Sequence, residues 1–230
     1  MIYQELKEIE YVPSEIKLLI DNKPFIVDDI GMSGNQVLIF EDMVLKIEND
    51  IASTVEQVQV LRWLEGKIPV PQVLEYIEEH GRGYLLMSKI GGEMSCNTYY
   101  LENPHILLNA LASGMKMLWE VDFRECPRVR DLDAMLKEAR MQVENNLVDL
   151  DNVEPTTFGE GGFESPIHLL EWLENNRPPF EPYRSLKHNF GGVYGGKVYE
   201  DFNPNMLFEA LGIDPDWEKI NYYLLLDELF

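Results

Sequence analysis

Gly91-Gly92 divides the chain into two parts with different patterns of apolar residues. Before this pair, short runs rich in Val, Ile and Leu are separated by turn residues, a pattern that favours β-strands. After it, apolar residues recur at the spacing of α-helices. We therefore predict an α+β fold with two lobes, a β-rich N-lobe over residues 1–90 and a helical C-lobe over residues 91–230.

The N-lobe is predicted to contain two β-hairpins. The apolar runs 36–40 and 43–47 are separated by only two residues, a connection short enough for a tight hairpin turn. The runs 73–77 and 83–88 flank His80-Gly81-Arg82, which has the composition of a second turn.

One helix is predicted between the two hairpins. Ser53 and Glu56 have the spacing of a capping box, in which the two side chains satisfy N–H groups at a helix start. Apolar residues follow at helical spacing up to about Glu65, and Gly66 is a typical residue to end a helix. The C-lobe sequence predicts four further helices, which begin near Pro104, Asp131, Pro166 and Asp214.

The overall charge is strongly negative. Among 230 residues there are 41 Asp and Glu against 19 Lys and Arg, which gives a net charge of −22. Such a chain repels nucleic acid and anionic membranes and attracts small cations, although solubility alone would also explain the charge. Cys96 and Cys126 have no metal or redox spacing, so free thiols in a reducing cytoplasm are expected. The first residues lack the apolar core of a signal peptide.

A glycine-containing loop at residues 30–37 precedes a predicted strand that carries a single lysine, Lys46. Backbone N–H groups of such a loop can approach phosphate oxygens, and a cation on the strand can pair with nucleotide phosphates. Each feature alone is also compatible with an ordinary turn and with an edge-strand lysine that points to water. Their order along the chain is more informative than either one.

The order of these segments resembles the N-lobe of the aminoglycoside 3'-phosphotransferases, a branch of the protein-kinase-like fold. The resemblance rests on the glycine loop, residues 44–47, the run Trp63-Leu64-Glu65-Gly66-Lys67-Ile68-Pro69-Val70-Pro71 and residues 84–88. Residues 212–220 and the terminus Asp227-Glu228-Leu229-Phe230 resemble the closing helix of that family. The similarity extends over about residues 15–178 and 183–230, and it implies ATP-dependent transfer of a phosphoryl group to an aminoglycoside.

The resemblance also implies roles for residues at the nucleotide site. Lys46 would contact the ATP phosphates, and Ser33 with the backbone around it would cover them. Met87, Ser88 and Ile90 would form the hinge that binds adenine. Magnesium accompanies ATP in this family.

The resemblance places the aminoglycoside at the acidic C-terminus. Asp227, Glu228 and the terminal carboxylate of Phe230 would bind the ammonium groups of the antibiotic, because charge-assisted hydrogen bonds are the strong ones. Glu154 and Glu160 lie in an acidic loop that could add to this site. A solvated charged loop is the alternative for that segment.

The chain departs from the family pattern at the partner of Lys46. The family has a helix glutamate six residues before the tryptophan, and Gln57 occupies that position here. Glu56 is one residue away, about 100° around the helix. Gln57 can accept a hydrogen bond from Lys46 but cannot neutralise its charge.

A larger departure removes the catalytic loop. The family has a His-Gly-Asp-x-x-x-x-Asn loop and a following aspartate, which supply the proton acceptor and the magnesium ligands. Here residues 176–182 run directly into Tyr183-Arg184-Ser185-Leu186, so that about forty residues are missing near Pro182 and Tyr183 by comparison with the family. No histidine is followed by Gly-Asp, neither His80, His105, His168 nor His188.

The sequence thus predicts a phosphotransferase relative that is catalytically impaired, with cationic small molecules and nucleotide as partners. No catalytic residue and no metal ligand can be assigned. Alternatives are a non-catalytic binder of aminoglycoside or nucleotide, or an inert remnant. Loss of the central segment is also expected to expose the apolar faces of the predicted helices 106–119 and 215–229.

Overall fold

The computed structural model describes residues 11–21, 23–28, 36–92, 95, 97–128, 130–151, 153–178, 193–194, 197–198 and 205–230. The described residues form two compact units. The first unit takes those of residues 11–92 together with 117–128, and the second takes those of 95–116 and 130–230. The lobe boundary near residue 90 stays a prediction.

The first unit is built on an antiparallel sheet of five strands. Its elements are α1 (Ser14–Ile20), β1 (Ile26–Val27), β2 (Gln36–Ile39), β3 (Met43–Glu48), α2 (Ile51–Leu64), β4 (Val73–Glu79) and β5 (Arg82–Ser88). The strands lie in the order β1-β2-β3-β5-β4. Both predicted hairpins are present, formed by β2 with β3 and by β4 with β5.

One face of this sheet forms the core of the first unit. Leu45 of β3 and Tyr84 and Leu86 of β5 are fully buried, because alternate residues of a strand point to the same face. They pack with Ile16 and Ile20 of α1, which lie one helical turn apart on its buried side. Each such apolar side chain contributes roughly 1.5–3 kcal/mol on burial.

Helix α2 begins earlier than the sequence predicted. Its N-cap is Asp50, whose side chain accepts a hydrogen bond from the backbone N–H of Ser53 at 3.0 Å. The predicted capping box is therefore wrong, because a carboxylate one turn earlier already satisfies the N–H of Ser53. Glu56 instead pairs with Arg128, with 3.0 Å between the closest atoms.

The second unit is mainly helical. Its elements are α3 (Thr98–Glu102), α4 (Pro104–Trp119, whose last three residues belong to the first unit), α5 (Leu132–Glu144), α6 (Pro166–Asn175), β6 (Val193–Tyr194), β7 (Lys197–Val198), α7 (Met206–Leu211) and α8 (Trp217–Asp227). The four predicted helix starts are confirmed to within three residues. Asp131 and Asp216 cap α5 and α8, accepting from the N–H of Ala134 at 2.9 Å and of Lys219 at 3.0 Å.

Two apolar clusters hold the second unit together. In the smaller cluster, Leu108 and Ala112 of α4 pack with Leu207 and Leu211 of α7. The larger cluster joins α5, α6 and α8 and contains Leu136, Ala139, Leu169, Leu170, Leu173, Tyr222, Tyr223, Leu226 and Leu229. The prediction that the apolar face of α8 would be exposed is therefore wrong, because α5 and α6 cover it.

Candidate functional site

Lys46 lies on an interior strand and does not point freely into water. β3 is hydrogen-bonded to β2 on one side and to β5 on the other, so the edge-strand alternative is wrong. The Lys46 side chain is 24% exposed, and its Nζ lies 2.8 Å from Glu48 Oε1. Nζ also donates a hydrogen bond to Gln57 Oε1 of α2 at 3.1 Å. The expected contact with Gln57 is thus present, but the charge of Lys46 is neutralised by Glu48.

Glu48 is itself held in place. Its side chain is only 6% exposed, and the Thr54 hydroxyl donates to its Oε2 at 2.9 Å. The same hydroxyl lies 2.8 Å from the carbonyl oxygen of Asp50, so it shares its proton between the two acceptors. A buried carboxylate is stable only when it is paired and hydrogen-bonded, and here it is both.

Gly83 allows α2 to lie close to the sheet beside this carboxylate. Gly83 is the β5 residue paired with Glu48 of β3. A Cβ atom added at Gly83 would lie 3.0–3.2 Å from side-chain atoms of Thr54. Any larger residue would therefore push against the helix residue that binds Glu48.

Met87 lies on the same face of the sheet as Lys46. Leu85 is paired with Lys46, and Met87, two residues further along β5, is paired with Val44. Because side chains alternate along a strand, Met87 and Lys46 project to the same side of the sheet. The two predicted nucleotide-site residues are thus placed on one surface.

The polar groups of Ser88 attach the end of β5 to Gln72, the residue that precedes β4. Its N–H donates to the carbonyl of Gln72 at 2.9 Å, and its hydroxyl accepts from the N–H of Gln72 at 2.8 Å. Ile90, which follows the strand, is 49% exposed. Ser33, the predicted phosphate-covering residue, lies outside the described residues.

The acidic loop and the end of α8 are joined by a hydrogen bond. The backbone N–H of Glu154 donates to Glu228 Oε2 at 2.8 Å. Asp227 is exposed beside it, whereas Phe230 is half-buried, with the Arg130 guanidinium 5.9 Å from its ring centre. Two predicted substrate residues from distant parts of the sequence, Glu154 and Glu228, are therefore neighbours.

Glu160 lies in a tight turn of the same loop. Phe158 and Phe163 form a β-bridge, and the N–H of Gly162 donates to the carbonyl of Gly159 at 3.1 Å. Glu160 is exposed within this turn, and Phe163 packs edge-on against Trp172 of α6, with ring centres 5.8 Å apart. The turn is thus attached to the helical cluster and presents Glu160 to solvent.

Within the described ranges, no group of three or more His, Cys, Asp and Glu side chains is arranged to hold a metal ion. None of the helices in that part of the chain is long and apolar enough to cross a bilayer.

Comparison with known proteins identifies the family. No family model matches the chain. An aminoglycoside 3'-phosphotransferase of Enterococcus faecalis is 30% identical over 95% of this chain and 98% of its own. One of Campylobacter jejuni is also 30% identical, over 77% of this chain and 82% of its own. The chain belongs to the aminoglycoside 3'-phosphotransferase family.

Solved structures agree on the kinase-like α+β fold. A crystal structure of an aminoglycoside 3'-phosphotransferase of type VIII matches with a TM-score of 0.65 at 21% identity, covering 94% of this chain and 97% of that one. A Streptomyces rimosus aminoglycoside phosphotransferase, solved with ADP and streptomycin, matches with a TM-score of 0.62 at 17% identity. The predicted fold class is confirmed.

The same comparison shows that some positions of the relative have no counterpart in this chain. The alignment with the Enterococcus faecalis enzyme has 263 positions, whereas 95% of the 230 residues is about 219. About 44 positions of that enzyme therefore have no counterpart here. This number is similar to the forty or so residues that the sequence pattern predicts to be missing, and the position of the missing segment stays a prediction.

Proposed function

We propose that this family member binds nucleotide beside Lys46 and a cationic aminoglycoside beside Asp227 and Glu228, and that it is impaired in phosphoryl transfer. The observation that carries the proposal is that the sequence contains no His-Gly-Asp-x-x-x-x-Asn loop. The gap of about 44 alignment positions is of a size that accounts for this loss.

The missing loop matters because of what a phosphotransferase must supply. The reaction is accelerated almost entirely by positioning of the reactants and by neutralisation of charge on the transferred group. By resemblance, the lost aspartate would accept the proton of the attacking hydroxyl, and a lost asparagine and aspartate would hold magnesium. The described residues offer no cluster that fits magnesium.

The arrangement around Lys46 supports nucleotide binding. Its ammonium is fixed by Glu48 at 2.8 Å and Gln57 at 3.1 Å, which leaves hydrogen-bonding capacity for a phosphate oxygen. Met87 is placed on the same face of the sheet, where a hinge contact to the base is expected. The phosphotransferase of Streptomyces rimosus that shares this fold was solved with both ADP and streptomycin, which makes the same pair of ligand classes reasonable here.

The arrangement around Glu228 supports binding of a polycation. The loop that carries Glu154 is tied to Glu228, and Asp227 is exposed next to it. In a chain with a net charge of −22, several carboxylates close together favour a ligand that carries several ammonium groups. The proposed aminoglycoside-binding residues also include Phe230 and Glu160.

A phosphotransfer assay with kanamycin and ATP, run on protein of confirmed intact mass, tests the impairment. The Enterococcus faecalis relative serves as the positive control. We expect no turnover above background for this chain, and turnover close to that of the control would refute the impairment.

Calorimetry with each ligand separates the remaining alternatives. Binding of either ligand supports a non-catalytic binder, and binding of neither contradicts the proposed sites and indicates an inert remnant.

A further inference from the structure

We propose that Glu48 is the residue that positions Lys46 for the nucleotide phosphates. It does so in place of a carboxylate on α2, the helix whose contact with Lys46 is made by the neutral side chain of Gln57. This inference rests on the proposed nucleotide site. It concerns which carboxylate fixes the lysine, which the family resemblance does not assign, because the resemblance expects that carboxylate on the helix.

The geometry around Lys46 favours Glu48 over Gln57. Glu48 lies 2.8 Å from Nζ and carries a charge, whereas Gln57 accepts a neutral hydrogen bond at 3.1 Å. Charge-assisted hydrogen bonds are about twice as strong as neutral ones. Glu48 is also the more confined of the two partners, because its side chain is 6% exposed and accepts from Thr54.

Because Glu48 lies on the same strand as Lys46, the ion pair differs from that of protein kinases in how it depends on helix position. In protein kinases the lysine on the third strand pairs with a glutamate on a helix, and movement of that helix makes or breaks the pair. Here both charged residues belong to β3, two residues apart, so their separation is set by the strand itself. The backbone positions of the ion pair are therefore set by β3 and not by α2, which adds the Gln57 contact to Lys46 and the Thr54 hydrogen bond to Glu48.

The proposal is tested with a set of matched variants. Glu48→Gln removes the charge and keeps the shape, and the double variant Glu48→Gln with Gln57→Glu returns a carboxylate from the helix side. Glu56→Gln is the control, since Glu56 also lies on α2 but pairs with Arg128. Two quantities are measured for each folded protein: the affinity for ATP by calorimetry, and the NMR signal of the Lys46 ammonium, whose protons exchange slowly only while they are hydrogen-bonded.

We expect Glu48→Gln to weaken ATP binding about tenfold, which is in the usual range for coupled neighbours. The ammonium signal should be lost in that variant and return in the double variant, together with most of the affinity. Glu56→Gln should match the unsubstituted protein in both measurements. If Glu48→Gln behaves like Glu56→Gln, or if its defect is not rescued by the double variant, the proposal is overturned.

Failure of the underlying nucleotide site gives a different result. If the unsubstituted protein does not bind ATP, the proposed nucleotide function fails, and the ammonium signal alone decides whether Glu48 fixes Lys46. If Glu48→Gln does not fold, Thr54→Val takes its place, because it removes the hydroxyl that holds Glu48 and leaves both ionic groups. Thr54→Val should weaken the ammonium signal, and an unchanged signal would overturn the proposal.

Discussion

Glu228 Oε2 accepts a hydrogen bond from the backbone N–H of Glu154 at 2.8 Å, joining residues 74 positions apart in the sequence. The contact ties the acidic loop to the end of α8. The Glu154 N–H donates to the charged Glu228 carboxylate, and hydrogen bonds to charged groups are the strong ones. This attraction opposes the repulsion between the acidic side chains of Glu154 and Glu228. The loop is thus held at α8 although its own side chains are negatively charged.

Replacing Glu228 by alanine should release the loop. The hydrogen bond to a charged acceptor is worth about 1.5–3 kcal/mol, so hydrogen exchange of the Glu154 amide should become roughly 10–150 times faster. Glu228→Gln keeps an acceptor oxygen and should show a smaller increase. Exchange measured by NMR or mass spectrometry checks this, with Asp227→Asn as the control that should leave the Glu154 amide unchanged. Equal exchange rates in Glu228→Ala and the unsubstituted protein would contradict the contact.

The N-cap of α2 predicts different costs for two neighbouring substitutions. Asp50→Ala should lower the free energy of unfolding by about 1 kcal/mol, because it leaves the N–H of Ser53 without its acceptor. Ser53→Ala should change stability by less than about 0.5 kcal/mol, since the Ser53 side chain is not the cap. Urea unfolding of both variants gives the comparison. A larger loss for Ser53→Ala would favour the capping box that the sequence suggested.

The sequence predicted the parts of the fold that local pattern determines. The hairpins and the starts of α4, α5, α6 and α8 follow from alternation, turn residues and capping signals within a few residues. The short elements α1 and β1 were missed, because seven and two residues carry too little pattern and owe their structure to packing.

The candidate site was predictable to a similar extent. Lys46 and Gln57 meet as the family pattern indicated, but Glu48 was missed although its spacing of two residues on a strand places it on the face of Lys46. The contact between Glu154 and Glu228 could not have been predicted from local pattern, since only the packing of the helical cluster brings those segments together.

Gly83→Ala should disturb both the stability and the nucleotide site of the first unit. The added methyl group would lie 3.0–3.2 Å from Thr54 atoms, and overpacking of this kind costs about 1–3 kcal/mol. Pushing Thr54 away would also weaken its bond to Glu48, so ATP affinity should fall. Gly91→Ala is the matched control, because a Cβ there would meet no atom within 4 Å. If the two variants have the same melting temperature and the same ATP affinity, the close approach of α2 to Gly83 contributes neither to stability nor to nucleotide binding.

The stability of the helical cluster should fall at alkaline pH partly through Tyr222. Burial raises the pKa of Tyr222 to about 12, and its hydroxyl donates to the carbonyl of Leu173 at 2.8 Å. In the unfolded chain tyrosine loses its proton near pH 10, so between about pH 10 and 12 the unfolded state binds fewer protons than the native state. The contribution of this tyrosine is therefore complete below pH 10 and is lost as the pH rises to 12.

A comparison of Tyr222→Phe with the unsubstituted protein isolates this contribution. At pH 8 the variant should be less stable by about 1 kcal/mol because the hydrogen bond is lost. From pH 8 to pH 11.5 the unsubstituted protein should lose on the order of 1–2 kcal/mol more than the variant. Tyr99→Phe, at a residue that is 56% exposed, should follow the unsubstituted protein. Parallel pH dependence in all three proteins would show that Tyr222 does not contribute.

Restoring the missing segment should restore the chemistry. The corresponding residues of the Enterococcus faecalis relative, inserted between Pro182 and Tyr183, would return the proton acceptor and the metal ligands that the resemblance assigns to them. A positioned general base contributes about 10²–10⁴-fold, and charge neutralisation a further 10²–10³-fold, so kanamycin phosphorylation should rise by at least about three orders of magnitude. The control is the same insertion with the aspartate of its His-Gly-Asp motif changed to asparagine, which should fold and bind ATP equally well but stay nearly inactive. An insertion variant that folds and binds both ligands without phosphorylating kanamycin would contradict the proposal that loss of this segment causes the impairment. Lys46 and Glu228 would then be present together with a complete catalytic loop.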